Sequence, residues 1–143
     1  MARCAGKRLA TRALRRLSPP CASLILHTLY NLTLSITPAA RSGLVGQVLT
    51  YTARYTNTGN VADTITLTRT NAGWPTVIVP AGQTIAPGGV RISIISVTVP
   101  LPSTLDQIDL TLIQAQGSGA LVQARLSSRA IAPAAFLPIV LRN

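Results

Sequence analysis

The chain has 143 residues, of which 48% are hydrophobic and only 3% aromatic, and its formal net charge is +10 at pH 7. This length predicts one domain with short tails. Because the hydrophobic residues are mostly aliphatic, we expect an aliphatic core of the kind found between packed sheets. No apolar run reaches the ~20 residues of a membrane-spanning helix. After a basic N-terminal segment, the remaining arginines are scattered singly along the chain. This scatter and the scarcity of aromatic side chains for base stacking do not favour a nucleic-acid-binding face.

Residues 1–29 differ from the rest in composition. The first sixteen positions hold six of the 13 basic residues, and a short apolar stretch follows at 21–29. Three interpretations stay open: an atypical secretory signal, a basic amphipathic helix on a membrane or anionic partner, or a segment with no folded role. Cys4, Cys21 and the single histidine, His27, all lie here and are too few for a structural zinc site.

Alternation of apolar and polar side chains begins at Tyr30 and predicts a first strand up to Thr37. Two further alternating stretches, 49–56 and 64–68, are joined by the turn 57–60, whose Gly and Asn residues tolerate positive φ. Whether those two strands pair directly or lie in opposite sheets is left open by the sequence. The segment 39–44 is predicted to be a loop.

Several short motifs stand in a characteristic order along residues 30–131. They are Gly46, the run Leu49-Thr50-Tyr51-Thr52-Ala53, the run Thr56-Asn57-Thr58-Gly59-Asn60-Val61-Ala62-Asp63-Thr64, then Gly73-Trp74, Pro87-Gly88-Gly89 and Val97-Thr98-Val99-Pro100. This order resembles the bacterial and archaeal immunoglobulin-like modules found in repeats on surface proteins and beside α-galactosidase-type catalytic domains. The resemblance implies a β-sandwich that acts as a spacer, adhesion or assembly module, and it brings no catalytic residues.

The middle of the chain predicts an edge strand and a longer strand whose phase changes. Residues 76–79 lie between prolines, which favours an edge position, and Trp74 before them is expected to be a core or edge anchor. A loop is predicted over 81–89. In the strand 90–99, Ile92 and Ile94 share one face while Ile95, Val97 and Val99 share the other, so either a β-bulge or an apolar outer face is expected.

Two more alternating stretches, near 108–113 and 122–126, complete a predicted seven-stranded immunoglobulin-like antiparallel β-sandwich. The strand near 108 is predicted to point Ile108, Leu110 and Leu112 inward. The predicted core is Leu49, Tyr51, Tyr55, Ile65, Leu67, Val97, Val99, Leu110, Leu112 and Val122.

Residues 132–143 form an apolar tail whose candidate partner-binding residues are Phe136, Leu137, Ile139 and Leu141. We expect it to pair along an edge of its own domain or to be donated as an extra strand to a neighbouring copy.

The predicted domain carries no cluster of groups suited to catalysis. It has no histidine, and its acids are Asp63, Asp106 and Asp109 alone, while a calcium site wants ~6 to 8 oxygen ligands. We therefore predict no enzyme activity, no catalytic residue, and no metal or other cofactor. The predicted function is a non-catalytic extracellular or cell-surface module that binds protein partners or itself through β-edge pairing. The alternative is a basic N-terminal segment that binds nucleic acid or an anionic membrane surface, with the sandwich as scaffold.

Overall fold

The computed structural model describes residues 26–133, which form strands and turns without a helix in that range. The strands are β1 Leu32–Thr37, β2 Ala40–Leu44, β3 Val48–Asn57, β4 Asp63–Thr70, β5 Thr76–Val79, β6 Gly82–Ile85, β7 Val90–Thr98, β8 Ile108–Gln116 and β9 Leu121–Ile131. Sheet A has the order β1-β3-β7-β5, and sheet B has the order β2-β9-β8-β4-β6. The prediction of an all-β two-sheet sandwich is confirmed, and the strands joined by the turn 57–60 lie in opposite sheets.

The predicted count of seven strands is wrong, because the described residues contain nine. Both additional strands, β2 and β6, lie in segments that were predicted to be loops. Each is a short edge strand of sheet B in which one residue is buried, Gly43 in β2 and Ile85 in β6. One buried residue is too few to produce a recognisable alternation of apolar and polar side chains. The purely antiparallel arrangement is also wrong, since β2 runs parallel to β9 from Ala40 opposite Ser127 to Leu44 opposite Ile131.

Both lateral sides of the sandwich are formed by a chain segment that changes sheets at a proline. On one side, β1 pairs with β3 in sheet A, and after Pro38 the chain continues as β2 in sheet B. On the other side, β5 pairs with β7 in sheet A, and after Pro80 the chain continues as β6 in sheet B. Edge strands are consequently only four to six residues long, which limits the unpaired backbone that either sheet presents.

The core lies between the inner faces of the two sheets. Its fully or nearly buried hydrophobic side chains are Leu32, Leu49, Tyr51, Ala53, Tyr55, Ile65, Leu67, Trp74, Ile85, Ile95, Val97, Val99, Ile113, Ala115, Leu126 and Ala130. Seven of the predicted core residues are among them, and Val122 packs against them from a partly buried position. Trp74 is 3% exposed, so its predicted role as an anchor in the core is confirmed.

The predicted orientation of β8 is wrong. Leu110 is 50% exposed and Leu112 is only partly buried, because the inward positions belong to Asp109, Thr111, Ile113 and Ala115. The Asp109 carboxylate accepts hydrogen bonds from the Gly73 amide at 2.7 Å and from the Thr111 hydroxyl at 2.7 Å. These bonds satisfy a buried acid, and since side chains alternate, they hold the aliphatic side chains of the first half of β8 on the outer face.

The phase change in β7 is resolved without a bulge. The register between β3 and β7 is continuous from Val48 opposite Thr98 to Thr56 opposite Val90. The inward position in the middle is taken by Ser93, whose hydroxyl donates to the Pro80 carbonyl at 2.6 Å. Ile92 and Ile94 therefore point outward, which is the second of the two expected arrangements.

The orientation of β8 predicts different costs for two truncations on the same strand. Ile113→Ala should lower the free energy of unfolding by about 2 to 5 kcal/mol, because it removes a fully buried side chain and leaves a cavity. Leu110→Ala should cost clearly less, since half of that side chain is already exposed to water. Urea titration followed by circular dichroism measures both, and an equal or larger loss for Leu110→Ala would contradict the observed orientation.

Candidate interaction surfaces

We call the end of the sandwich at which β3 ends, at Asn57, its upper end. The buried side chain of Asn57 holds neighbouring chain segments together there. Its amide nitrogen donates to the carbonyls of Val61 at 2.8 Å and Ile85 at 2.9 Å, and its amide oxygen accepts from the Gly59 N–H at 2.9 Å. One side chain thereby joins the turn after β3 to the end of β6. Because Asn57 is 1% exposed, these bonds replace water that the amide has lost.

The backbone of Asn57 binds the turn that precedes β7. The Gly88 N–H donates to the Asn57 carbonyl at 2.8 Å, and the Asn57 N–H donates to the Gly89 carbonyl at 3.1 Å. Gly88 has φ of 71°, a left-handed conformation that suits glycine. Two of the motifs that carry the resemblance, the run around Asn57 and Pro87-Gly88-Gly89, are therefore in direct contact.

Asn60 holds the residues that lead into β1. Its side chain accepts from the Leu29 N–H at 2.8 Å and donates to the His27 carbonyl at 2.8 Å, while its own N–H donates to the Leu29 carbonyl at 3.0 Å. Gly59 lies so close to the Leu29 carbonyl that a Cβ would collide with it. The ordered contacts of the sandwich thus extend back to His27.

The three aspartates of the described chain have separate structural roles. Asp63 is buried and accepts from the N–H and the hydroxyl of Ser118, the latter at 2.7 Å. Asp109 is buried and accepts hydrogen bonds from Gly73 and Thr111. Asp106 is exposed and forms an ion pair of 2.8 Å with Arg129. Between residues 26 and 133, no three His, Cys, Asp or Glu side chains come together in a way that would hold a metal ion.

Tyr51 links the two sheets near their lower end, where β3 begins. Its hydroxyl donates to the Ser127 carbonyl at 2.8 Å and lies 2.7 Å from the Ser128 hydroxyl on β9. Burial raises the pKa of Tyr51, and the Ser128 hydrogen bond and the charge of Arg41 oppose this effect. A raised pKa in the folded state gives stability that is present below the ordinary value of about 10 and is lost as the pH rises through the folded value.

The first exposed apolar surface lies at one edge of sheet A. We define the β5 edge as the strand Thr76–Val79 with its outward-facing Val77 and Val79, which are 59% and 62% exposed. Val79 lies opposite Ile94, and Ile92 continues the apolar surface along β7. Ile94 and Ile92 are 42% and 53% exposed, so four aliphatic side chains form one outward patch.

The second exposed apolar surface lies on the outer face of sheet B. We define the outer stripe as Ile108, Leu110 and Leu112 on β8, of which the first two are 56% and 50% exposed. Sequence reasoning missed this surface because these residues were assigned to the core. No sequence signal pointed to this surface. The polar residues Asp109 and Thr111 alternate with these aliphatic residues, and polar residues on a strand ordinarily face water, so the aliphatic residues were expected to face inward.

Two of the predicted surfaces lie outside the part of the chain that the structure describes. The tail residues Phe136, Leu137, Ile139 and Leu141 lie outside the described residues, as does the basic run at the start of the chain. The arginines that are described do not form a single basic face: Arg54 is on the outer face of sheet A, whereas Arg125 is on the outer face of sheet B. From residue 26 to residue 133, no helix has the length and hydropathy to cross a membrane.

No protein-family model matches the chain, and no curated protein sequence matches it. Solved structures do match. A family 123 glycoside hydrolase from Clostridium perfringens has a TM-score of 0.58 at 10% identity, over 71% of this chain and 27% of the hydrolase. PapD-like domain 7 of human CEP192 has a TM-score of 0.53 at 10% identity, over 90% of this chain and 99% of that domain.

A third match is a chain from the complex of the Salmonella enterica SafA pilin with the SafB chaperone, with a TM-score of 0.53 at 14% identity, over 76% of this chain and 58% of that one. The chain therefore spans about a quarter of the hydrolase and little more than half of the chain from the pilin complex. At these identities the matches establish the fold, a β-sandwich of the immunoglobulin-like and PapD-like type.

The two asparagines at the upper end predict contrasting effects when each is truncated. Asn57→Ala should lower the free energy of unfolding by about 1 to 3 kcal/mol, because the buried carbonyl of Ile85 and the partly buried carbonyl of Val61 lose their donor. Asn60→Ala serves as the matched control in the same turn, since its bonds are exposed. It should leave global stability nearly unchanged and should accelerate hydrogen exchange at the Leu29 amide, measured by NMR. Equal losses of stability in the two variants would contradict the central role of Asn57.

Proposed function

We propose that this chain is a non-catalytic extracellular or cell-surface module that binds protein partners, including further copies of itself, through a free strand edge. The observation that carries the proposal is the β5 edge. It combines backbone that pairs on one side only with two aliphatic side chains that are more than half exposed. Monomeric proteins seldom leave a strand edge and an apolar patch together without a partner.

The β5 edge offers the two elements that strand addition requires. Within the described range, β5 pairs with β7 alone, so the N–H and C=O groups on its other side have no strand partner. An added strand would gain main-chain hydrogen bonds there, and its side chains would cover Val77 and Val79 on the outer face. The prolines at positions 75 and 80 limit the added strand to about four residues.

Two further observations support this function over an enzyme. The three aspartates of the described chain are engaged in hydrogen bonds or an ion pair that stabilise turns and loops. One of the similar structures is that of a pilin in complex with a chaperone, which is an assembly of two proteins. The resemblance to repeated surface-protein modules supports the same role and an extracellular or cell-surface location.

A lysine at the β5 edge tests the proposal. Val77→Lys adds a charge where a second strand would pack, and it should weaken self-association of the full chain by about tenfold in Kd, a change of ~1.4 kcal/mol. Thr33→Lys, on the opposite edge strand of the same sheet, is the matched control and should have little effect. Sedimentation velocity over a range of concentrations measures both. A wild-type chain that stays monomeric throughout, or equal effects of the two lysines, would refute pairing of copies through β5.

The alternative function is suggested by the six basic residues among the first sixteen. If this segment binds nucleic acid or an anionic membrane, affinity for duplex DNA or for phosphatidylserine vesicles should fall steeply as salt is added. It should also disappear when residues 1–17 are deleted, while Arg125→Ala in the sandwich should have no such effect. We expect neither ligand to bind at micromolar protein in 0.15 M salt, and tight, salt-sensitive binding would favour the alternative.

A further inference from the structure

The outer stripe is an apolar surface that the fold itself does not require. The inward positions of β8 already complete the core with Ile113 and Ala115. The outward positions could hold polar side chains at no cost to the core, as they do farther along β8 at Gln114 and Gln116. Burial of three aliphatic side chains by a covering segment would instead be favourable by roughly 25 cal/mol for each Å² removed from water.

The stripe begins near the point at which β9 ends. Ile108 lies beside Arg129 on β9, and Ile131 follows two residues later on the same outward face. Ile131 lies opposite Leu44 on β2, and the two side chains are 37% and 42% exposed. A second exposed apolar pair, Ile131 and Leu44, therefore lies on the same outer face as Ile108, next to the ion pair of Arg129 with Asp106.

The residues that follow this point have the matching composition. Ile131 is followed by Ala132 and Pro133, and then by the segment 134–143. That segment contains Phe136, Leu137, Ile139, Val140 and Leu141, and its single charged side chain is Arg142. Such a composition is costly to leave in water, and the nearest exposed apolar surface is the one from which the chain departs.

The length of the segment also fits. Ten residues span up to about 35 Å when extended, whereas the stripe from Ile108 to Leu112 is only ~14 Å long. The neighbouring strand is about 5 Å from β9, so a reversal of the chain near Pro133 would bring Phe136 above the stripe. The β5 edge, by contrast, lies on the far side of the other sheet, three strands from β1.

We propose that residues 134–143 fold back over the outer face of sheet B of their own copy and cover the outer stripe. This inference goes beyond the proposed function and concerns a different surface. It places the tail on a sheet face, in contrast to the edge pairing and the donated strand that the sequence predicts. The basic segment at the other end of the chain is a poorer occupant, because Arg125 lies beside Leu112 and would repel it.

The single phenylalanine of the chain makes the proposal directly testable in the full-length protein. With Phe136 protonated in a deuterated chain that carries labelled Ile and Leu methyl groups, we expect nuclear Overhauser effects from its ring to the methyl groups of Ile108, Leu110 or Leu112. Mixing two differently labelled samples separates effects within one copy from effects between copies. Effects to β1, β2, β5 or β6 in place of the stripe, effects that occur only between copies, or no effects at all would each overturn the proposal.

A pair of substitutions provides the control. Leu110→Gln should abolish the Overhauser effects from the Phe136 ring and narrow its resonances, because the surface beneath the ring becomes polar. Val77→Gln removes a comparably exposed aliphatic side chain from the other sheet, and it should leave those effects unchanged. Effects that survive Leu110→Gln in a chain whose remaining spectrum is folded would also overturn the proposal. Because Val77→Lys disrupts the β5 edge alone, persistence of the Phe136 effects in that variant would distinguish the outer stripe from the β5 edge.

Discussion

The buried amide of Asn57 is the interaction on which the upper end of the sandwich depends. The side-chain amide joins the crossover from sheet A to sheet B to the end of β6, while the backbone of the same residue binds the glycine turn before β7. An aliphatic side chain of similar size would fill the same space but would leave the Val61 and Ile85 carbonyls without donors. The geometry thus explains why a polar residue ends an otherwise apolar inward row on β3.

Sheet switching determines which surfaces remain for other molecules. Because β1 and β5 each leave their sheet at a proline, neither sheet has a long free edge, and uncontrolled edge-to-edge association is limited. The exposed apolar surface is instead divided between the β5 edge and the outer face of sheet B. These two surfaces lie on different sheets, so the partner proposed for the first and the tail proposed for the second would not compete.

The sequence predicted those strands in which one face alone is apolar. In β3 and β4, threonines alternate with large apolar residues, so the inward face was unambiguous and the structure agrees. In β8 both faces carry aliphatic residues, and the orientation depends on a hydrogen bond from Gly73, 36 residues earlier in the chain, which no local pattern can indicate. The strands β2 and β6 were missed for a related reason: backbone pairing with distant strands forms them, and their side chains contribute little burial.

The two ends of the described chain leave the sandwich at opposite poles. The segment held by Asn60 enters beside the last residues of β3, whereas β9 ends beside Leu44, close to where β3 starts. A pull applied through both ends would therefore act along the strands and perpendicular to the hydrogen bonds between β1 and β3. Six residue pairs would bear that load together in shear instead of opening one after another, so the same topology that sets the edges also suits the domain to resist tension.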